Sequence, residues 1–231
     1  MDFGHLENVD HEDFTLPGDH PVTKKLIKEL HALSPEKGSV HIGCAKWGRP
    51  DWVGKIYPKG TKPADFLDQY VKHFNTIELN AMFYRLFPKS TIQKWAALAK
   101  GDFLFCPKFT NSISHLHQLK NADRETDLYL DSMLSFGDKL GHCFLQLSDR
   151  FGVNRANVLH DYLKKLPRDF PVCVELRHED WFRESDVVSE TFSLFKELGI
   201  GTVITAALAP RRRHCWRGFR SCCCHKWRNN F

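Results

Sequence analysis

The stretch Val172-Cys-Val-Glu-Leu-Arg177 is an apolar run that ends on a carboxylate and a cation, and four other stretches share this pattern. Side chains alternate between the two faces of a strand, so Glu175 and Arg177 share one face. Charged groups in an apolar strand indicate a site, because burying an unpaired charge is costly. The other stretches are Thr76-Ile-Glu-Leu-Asn80, Phe103-Leu-Phe-Cys-Pro-Lys108, Cys143-Phe-Leu-Gln-Leu147 and Gly201-Thr-Val-Ile-Thr205.

Amphipathic segments separate these strands and predict helices, and a further strand is predicted at residues 40–44. Strand and helix then alternate six times without hairpin turn signals, which predicts parallel pairing through right-handed crossovers. The predicted helices cover residues 21–33, 62–74, 90–99, 126–140, 154–165 and 185–198.

Two α/β architectures fit this alternation: an open doubly wound sheet and a closed barrel. The first strand runs into Gly43-Cys-Ala-Lys-Trp-Gly48, which is not the glycine-rich dinucleotide fingerprint. Polar residues at nearly every strand end favour the barrel, where the strand ends converge on one mouth. The sequence therefore predicts a TIM-type β/α barrel that is C-terminally truncated, with about six of the eight strands.

Length and charge agree with a single soluble domain. The chain has 231 residues, and its net charge of +5 comes from the end of the sequence. Residues 211–231 hold seven of the 33 basic residues and no acidic one, which leaves 26 basic against 28 acidic residues elsewhere, a net charge of −2. This balance argues against tight binding of a nucleic-acid duplex.

The predicted location is the cytoplasm. No apolar run approaches the roughly 18 to 20 residues of a membrane span, so no membrane partner is expected. The first residues are polar and acidic and do not form a secretory signal. Four cysteines lie inside apolar strands, as expected of small hydrophobic side chains in a reducing compartment: Cys44, Cys106, Cys143 and Cys173.

Several spaced motifs resemble the domain of unknown function 72 (YecE-like) family over about residues 39–205. The resemblance implies a TIM-type barrel, in agreement with the alternation, and implies no established activity. The motifs are Ile42-Gly-Cys-Ala-Lys-Trp47, Trp52-Val-Gly-Lys-Ile-Tyr-Pro58, Phe74-Asn-Thr-Ile-Glu-Leu-Asn-Ala-Met-Phe-Tyr84, Ile113-Ser-His115 and Glu175-Leu-Arg-His-Glu-Asp-Trp-Phe182.

The sequence departs from this pattern after Thr205. The resemblance implies an Asp-containing loop and two more strands, but residues 206–231 contain no carboxylate and no periodicity. We interpret them as an aberrant, basic, Cys-rich tail that is disordered, and a shifted reading frame is our hypothesis for its origin. The predicted organisation is an N-terminal extension with one helix (1–38), an incomplete barrel (39–205) and this tail (206–231).

The charged strand ends supply the candidate catalytic residues Glu78, Lys108 and Glu175. The two glutamates would act as general acid and base, while Lys108 and Arg177 neutralise them or hold an anion. His178 follows Arg177 directly and is predicted to transfer protons near neutral pH. The alternative is a structural ion-pair network that never meets a substrate.

The predicted substrate-binding residues are polar groups at the strand ends and aromatic rings that follow them. The rings would stack on a substrate, or they would form the small core of a lid. His115 lies in the loop after the third predicted strand, at residues 103–108, where it would bind substrate or satisfy a hydrogen bond of that loop. These residues are Trp47, Asn80, Tyr84, His115, Gln146, Arg177 and Trp181.

No metal ligand is assigned. Glutamate and histidine side chains at the strand ends are suitable ligands, but they form no compact metal motif. In the tail, Cys222-Cys-Cys-His225 lacks the spacing of zinc sites. The sequence does not indicate a cofactor or an oligomeric state.

These residues predict an enzyme that acts on a small polar or anionic substrate by acid/base chemistry. In a variant of this mechanism, Lys108 is a Schiff-base nucleophile. Two alternatives remain: a metal-assisted, phosphodiesterase-like barrel acting on nucleic acid, and a non-catalytic binding barrel or inactive truncated remnant.

Overall fold

The structure, a computed structural model, describes residues 39–204 and the helical positions Pro21, Lys24, Lys25, Lys28 and Ala32. Residues Ser39–Val203 belong to one compact unit. The five isolated positions lie within the predicted N-terminal helix. The aberrant tail, including its cysteine cluster at 222–225, lies outside the described residues.

Six parallel strands alternate with helices. The first sheet has β2 between β1 and β3, and the second has β5 between β4 and β6. Every neighbouring pair within a sheet is parallel. The strands are β1 (Gly43–Cys44), β2 (Thr76–Leu79), β3 (Leu104–Pro107), β4 (Cys143–Gln146), β5 (Val172–Glu175) and β6 (Gly201–Thr202).

The predicted TIM-type barrel is wrong, because the fold consists of two open three-stranded sheets. An isolated parallel bridge between Lys108, just after β3, and Phe144 of β4 links the two sheets, and another joins Phe105 of β3 to Leu140, which precedes β4. Within residues 39–204, β1 and β6 each pair with a single strand and not with one another. The sequence criterion fails because ligand-binding residues gather at the carboxyl ends of parallel strands in open sheets as well as in barrels.

Four of the five helices predicted within residues 39–204 are shorter in the structure. Predicted helix 62–74 starts as a 3₁₀ turn at Pro63–Asp65, and predicted helix 126–140 changes to a 3₁₀ segment, Leu134–Lys139. Gly137 within that segment has φ 53°, which a helical path does not allow. The helices are α1 (Phe66–Tyr70), α2 (Ala81–Tyr84), α3 (Lys89–Leu98), α4 (Asp123–Met133), α5 (Ala156–Lys165) and α6 (Asp186–Leu198).

Both ends of α6 follow from local sequence. The Ser185 hydroxyl accepts a hydrogen bond from the Val188 backbone N–H (3.3 Å) and satisfies a donor of the first turn. Gly199 has φ 69° and ends the helix in the left-handed conformation that glycine adopts without strain.

One face of each sheet builds the hydrophobic core. Ile77 and Leu79 of β2, Phe105 of β3, Leu145 of β4 and Val174 of β5 are at most 3% exposed. Burying such a side chain contributes about 1.5 to 3 kcal/mol. The alternate residues of the same strands lie on the opposite face, where the polar groups are found. Among the described residues, no helix is long and apolar enough to cross a membrane.

Candidate functional site

Strand register brings four predicted site residues to one face of the sheets. Glu78 of β2 pairs in register with Cys106 of β3, and Lys108 is the next residue on the same face as Cys106. Phe144 of β4 forms a bridge with Lys108. Two residues later, Gln146 of β4 pairs with Glu175 of β5. The four residues are Glu78, Lys108, Gln146 and Glu175.

A chain of contacts joins Lys108 to Arg177. The Lys108 ammonium donates to the Gln146 Oε1 atom (2.7 Å), and Gln146 Nε2 donates to Glu175 Oε2 (2.7 Å). The other carboxylate oxygen of Glu175 lies 3.8 Å from Arg177 Nε. We call these four residues the Lys108–Arg177 chain. A buried carboxylate thereby connects two cations, since Glu175 is only 3% exposed.

Both cations keep donor capacity. Within residues 39–204, Gln146 is the one hydrogen-bond partner of the Lys108 ammonium, which has three N–H donors. The Arg177 guanidinium has five donors and faces only Glu175 in that part of the chain. Its side chain is 21% exposed, so the remaining donors can bind a ligand.

The surroundings of Lys108 disfavour its charged form. Burial is the main cause that lowers the pKa of Lys108, and Arg177 adds to it, whereas Glu175 and Glu78 raise it. The ammonium also lies 4.5 Å from the centre of the Phe83 ring and 5.7 Å from that of Phe144. These ring faces attract a cation and partly offset the loss of water.

Glu78 is the accessible carboxylate of the site. It is exposed, and its Oε1 atom accepts a hydrogen bond from Asn80 Nδ2 (2.9 Å). Asn80 is the next residue on the same face, as the alternation predicts. The pair lies near the Lys108–Arg177 chain, and the charge of Glu78 raises the pKa of Lys108.

His115 lies in a single π-helical turn, Ser112–Leu116, after β3. Its Nδ1 atom is 2.9 Å from the hydroxyl of Ser114. Its ring packs edge-on against Phe83 (5.1 Å between centres), the same ring that Lys108 contacts. Burial first, then Lys108 and Arg177, lower the pKa of His115, and Asp149 raises it.

Two predicted site residues of the loop after β5 contact that loop or the loop after β4. His178 accepts a hydrogen bond from the Asp180 backbone N–H (3.2 Å) and lies 3.4 Å from the Asp180 carboxylate. Trp181 is 1% exposed and donates to the Phe151 carbonyl (2.7 Å). The structure does not connect either residue to the Lys108–Arg177 chain, and their predicted roles stay predictions.

The other two aromatic candidates differ in exposure. Trp47 is half-buried and packs edge-on against Trp95 (5.3 Å), as expected for part of a core. Tyr84 is 82% exposed and packs edge-on against Phe83 (5.2 Å). Tyr84 therefore borders the ring that links Lys108 to His115.

The sequence does not identify four residues that contact or influence the site. Phe83 stands among the aromatic residues after β2, but nothing in its spacing singles out its ring. Ser114 and Asp149 are loop residues whose relation to His115 depends on tertiary structure. Phe144 has the pattern of an ordinary core residue, and only the bridge to Lys108 identifies it.

Among residues 39–204, the structure places no three His, Cys, Asp or Glu side chains together as a metal site.

The model of the family "Protein of unknown function DUF72" matches residues 41–221. The chain belongs to this family. Among curated relatives, it is similar to the UPF0759 protein YecE of Escherichia coli K12, with 29% identity over 165 residues. It is also similar to the UPF0759 protein YunF of Bacillus subtilis 168, with 27% identity over 168 residues.

The match to YecE covers 71% of this chain and that to YunF covers 69%. The chain spans only 58% of the length of each of these relatives.

Two solved DUF72 structures resemble the fold. A DUF72 family protein from Enterococcus faecalis V583 aligns with a TM-score of 0.56 and 23% identity, over 72% of this chain and 60% of that one. One from Thermotoga maritima MSB8 aligns with a TM-score of 0.50 and 23% identity, over 72% of this chain and 65% of that one. At this identity, the likeness concerns the fold alone.

Proposed function

We propose that the polar face of the two sheets binds a small organic anion and transfers a proton to or from it. Lys108 and Arg177 hold the anion, Glu78 exchanges the proton, and Glu175 holds the two cations in place. The observation that carries this proposal is the Lys108–Arg177 chain, in which one buried carboxylate connects two cations that retain N–H donors.

Anion binding follows from these spare donors. Hydrogen bonds between a cationic donor and an anionic oxygen are about twice as strong as neutral ones. Arginine presents its donors in a planar fork that matches carboxylate and phosphate oxygens. Lys108 contributes a point charge whose position is fixed by Gln146 and the Phe83 ring. A ligand held by both cations would lie over the polar face.

The two glutamates take different parts in this chemistry. Glu175 is buried and bound to Gln146, so it is suited to positioning. Glu78 is exposed and keeps a free oxygen beside its contact with Asn80, so it is suited to proton exchange with a ligand. In the transfer, the carboxylate takes a proton from the bound anion, and the electron pair left on the ligand is stabilised by Lys108 and Arg177.

Binding and turnover can be separated with the full 231-residue chain. Calorimetry would measure the affinity for inorganic phosphate and for a panel of small carboxylic acids. NMR in D₂O would detect exchange of deuterium into the panel compounds. Lys108→Met and Arg177→Met should each weaken phosphate binding at least about tenfold, which is about 1.4 kcal/mol. Glu78→Gln should keep phosphate binding and slow exchange at least about 100-fold.

Matched controls come from the exposed surface. Lys164→Met and Glu190→Gln change the same residue types on α5 and α6, and they should alter neither measurement. Phosphate and carboxylate binding that does not depend on Lys108 and Arg177 would overturn the proposal, as would exchange that Glu78→Gln does not slow. The chain spans only 58% of the length of these relatives, so any activity of the whole protein is likewise a proposal.

The remaining functional expectations are also proposals. We also propose a small molecule as the partner and the cytoplasm as the location, and we do not favour nucleic acid as a partner. We do not assign His178 a step in the chemistry, because its hydrogen bond and its ion pair are both with Asp180 of its own loop.

A further inference from the structure

The Ser114 hydroxyl favours one tautomer of His115. It donates to the Thr110 carbonyl oxygen (3.0 Å) and lies 2.9 Å from His115 Nδ1. The hydroxyl has a single proton, so when that proton is directed at Thr110 the hydroxyl oxygen can only accept from His115. This arrangement favours a proton on Nδ1 and an unprotonated Nε2.

This serine is well placed to hold the imidazole. Ser114 is 1% exposed, and its backbone N–H also donates to the Thr110 carbonyl (3.2 Å). Ser114 and His115 lie in the π-helical turn Ser112–Leu116, and π turns occur frequently at functional sites. The Ser114–His115 contact is therefore part of a partly buried, hydrogen-bonded local structure.

The imidazole and the Lys108 amine share one aromatic neighbour. His115 packs edge-on against Phe83 (86° between ring planes), while Lys108 lies over the face of that ring. The charged groups that act on the imidazole come from three elements: Lys108 after β3, Asp149 after β4 and Arg177 after β5. Burial and the two cations lower the pKa of His115 below its ordinary value, which favours the neutral ring.

We propose that His115 is a second general base of the anion site, beside Glu78, acting through Nε2 on an anion that bears an acidic proton and is held by Lys108 and Arg177. This inference rests on the proposed function and adds a second proton-transferring group to Glu78. The C–H or O–H bond of the ligand breaks, its proton goes to Nε2, and the electron pair stays on the ligand beside the two cations. The imidazolium keeps its Nδ1–H bond to Ser114 and later returns the proton to the ligand or to Glu78.

The arrangement couples anion binding to the protonation of His115. An anion between Lys108 and Arg177 offsets the charges that disfavour the imidazolium, so it raises the pKa of His115. By reciprocity, protonated His115 favours anion binding, and affinity rises as the pH falls through this pKa. Inorganic phosphate is a sufficient probe, because the coupling is electrostatic and does not depend on turnover.

NMR of ¹⁵N-labelled full-length chain tests both parts. Long-range ¹H–¹⁵N spectra assign the tautomer, and titrations with and without inorganic phosphate give the pKa of His115. We expect the Nδ1–H tautomer and a rise in pKa of about half a unit or more on phosphate binding. Ser114→Ala should convert the tautomer to a mixture, while Lys108→Met should remove the phosphate-induced rise. His73, an exposed histidine, serves as the internal control.

The outcomes separate this inference from the proposed function. An Nε2–H tautomer, or a His115 pKa that phosphate leaves unchanged while phosphate still binds through Lys108 and Arg177, overturns the role of His115 and leaves the anion site standing. If neither phosphate nor any carboxylic acid of the panel binds, both proposals are overturned. Exchange into a panel compound that continues in His115→Asn would also remove His115 from the chemistry.

Discussion

Glu78 and Glu175 occupy equivalent places in the two sheets but differ in exposure. Each is on the middle strand of its sheet, and each is followed two residues later by a polar side chain on the same face, Asn80 or Arg177. Glu78 is exposed, whereas Glu175 is 3% exposed. The same sequence pattern therefore produces an accessible carboxylate in one sheet and a buried one in the other.

The cross-strand neighbours account for the difference in contacts. Glu78 pairs in register with Cys106, whereas Glu175 pairs with Gln146, which donates to it. Arg177 is a second polar neighbour of Glu175. Because Glu175 is buried, losing these contacts would leave its carboxylate without a partner at a high cost in free energy. We infer that the first sheet presents its carboxylate to the ligand, while the second uses its carboxylate to hold the cations.

The largest expected difference is in stability. Glu175→Ala removes the partner of a half-buried amide and of a largely buried guanidinium, and we expect the free energy of unfolding to fall by about 2 to 4 kcal/mol. Glu78→Ala changes an exposed side chain, and the loss should stay within about 0.5 kcal/mol. Urea unfolding followed by circular dichroism measures both. Equal losses in the two variants would show that the structural contrast between the sheets has no energetic basis.

The strand ends of the site were predictable, because alternation and polarity are local properties. Glu175 and Arg177 follow from the pattern of a single stretch, and six strands occur where apolar runs predict them. The closure of the sheet was not predictable in this way. Whether β1 meets another edge depends on the tilt and register of the whole sheet, which strand composition does not encode.

The sequence also did not predict the contacts around His115. The dipeptide Ser114-His115 carries no spacing signal, and its π-helical turn depends on how the loop packs after β3. Exposure was equally hidden: Glu78 and Glu175 have the same local pattern, and only the structure distinguishes them. Sequence therefore predicts which side chains share a face better than which of them meet water.

An intermediate effect is expected for the partners of the two glutamates. Gln146→Met breaks the Lys108–Arg177 chain and leaves Lys108 and one oxygen of Glu175 without their hydrogen bonds. We expect a loss of about 1 to 2 kcal/mol, the cost of unsatisfied, partly buried groups. Asn80→Ala removes a contact of an exposed carboxylate and should cost less than about 0.5 kcal/mol. The same urea series measures both, and a costly Asn80→Ala would assign Glu78 a structural role.

The smallest effect concerns acid. His142 directly precedes β4, and burial lowers its pKa below the ordinary value. The unfolded chain therefore binds more protons than the folded chain as the pH falls below about 6.5. The contribution of His142 is present above that pH and is lost as the pH falls toward the lowered folded-state pKa.

His142→Gln should therefore reduce the loss of stability between pH 8 and pH 5, measured by urea unfolding at each pH. His73→Gln is the matched control, because His73 is exposed and lies shortly before β2. Its pH dependence should equal that of the unaltered chain. A His142→Gln chain with unaltered acid sensitivity would assign that sensitivity to other groups, of which His115 has a pKa lowered in the same direction.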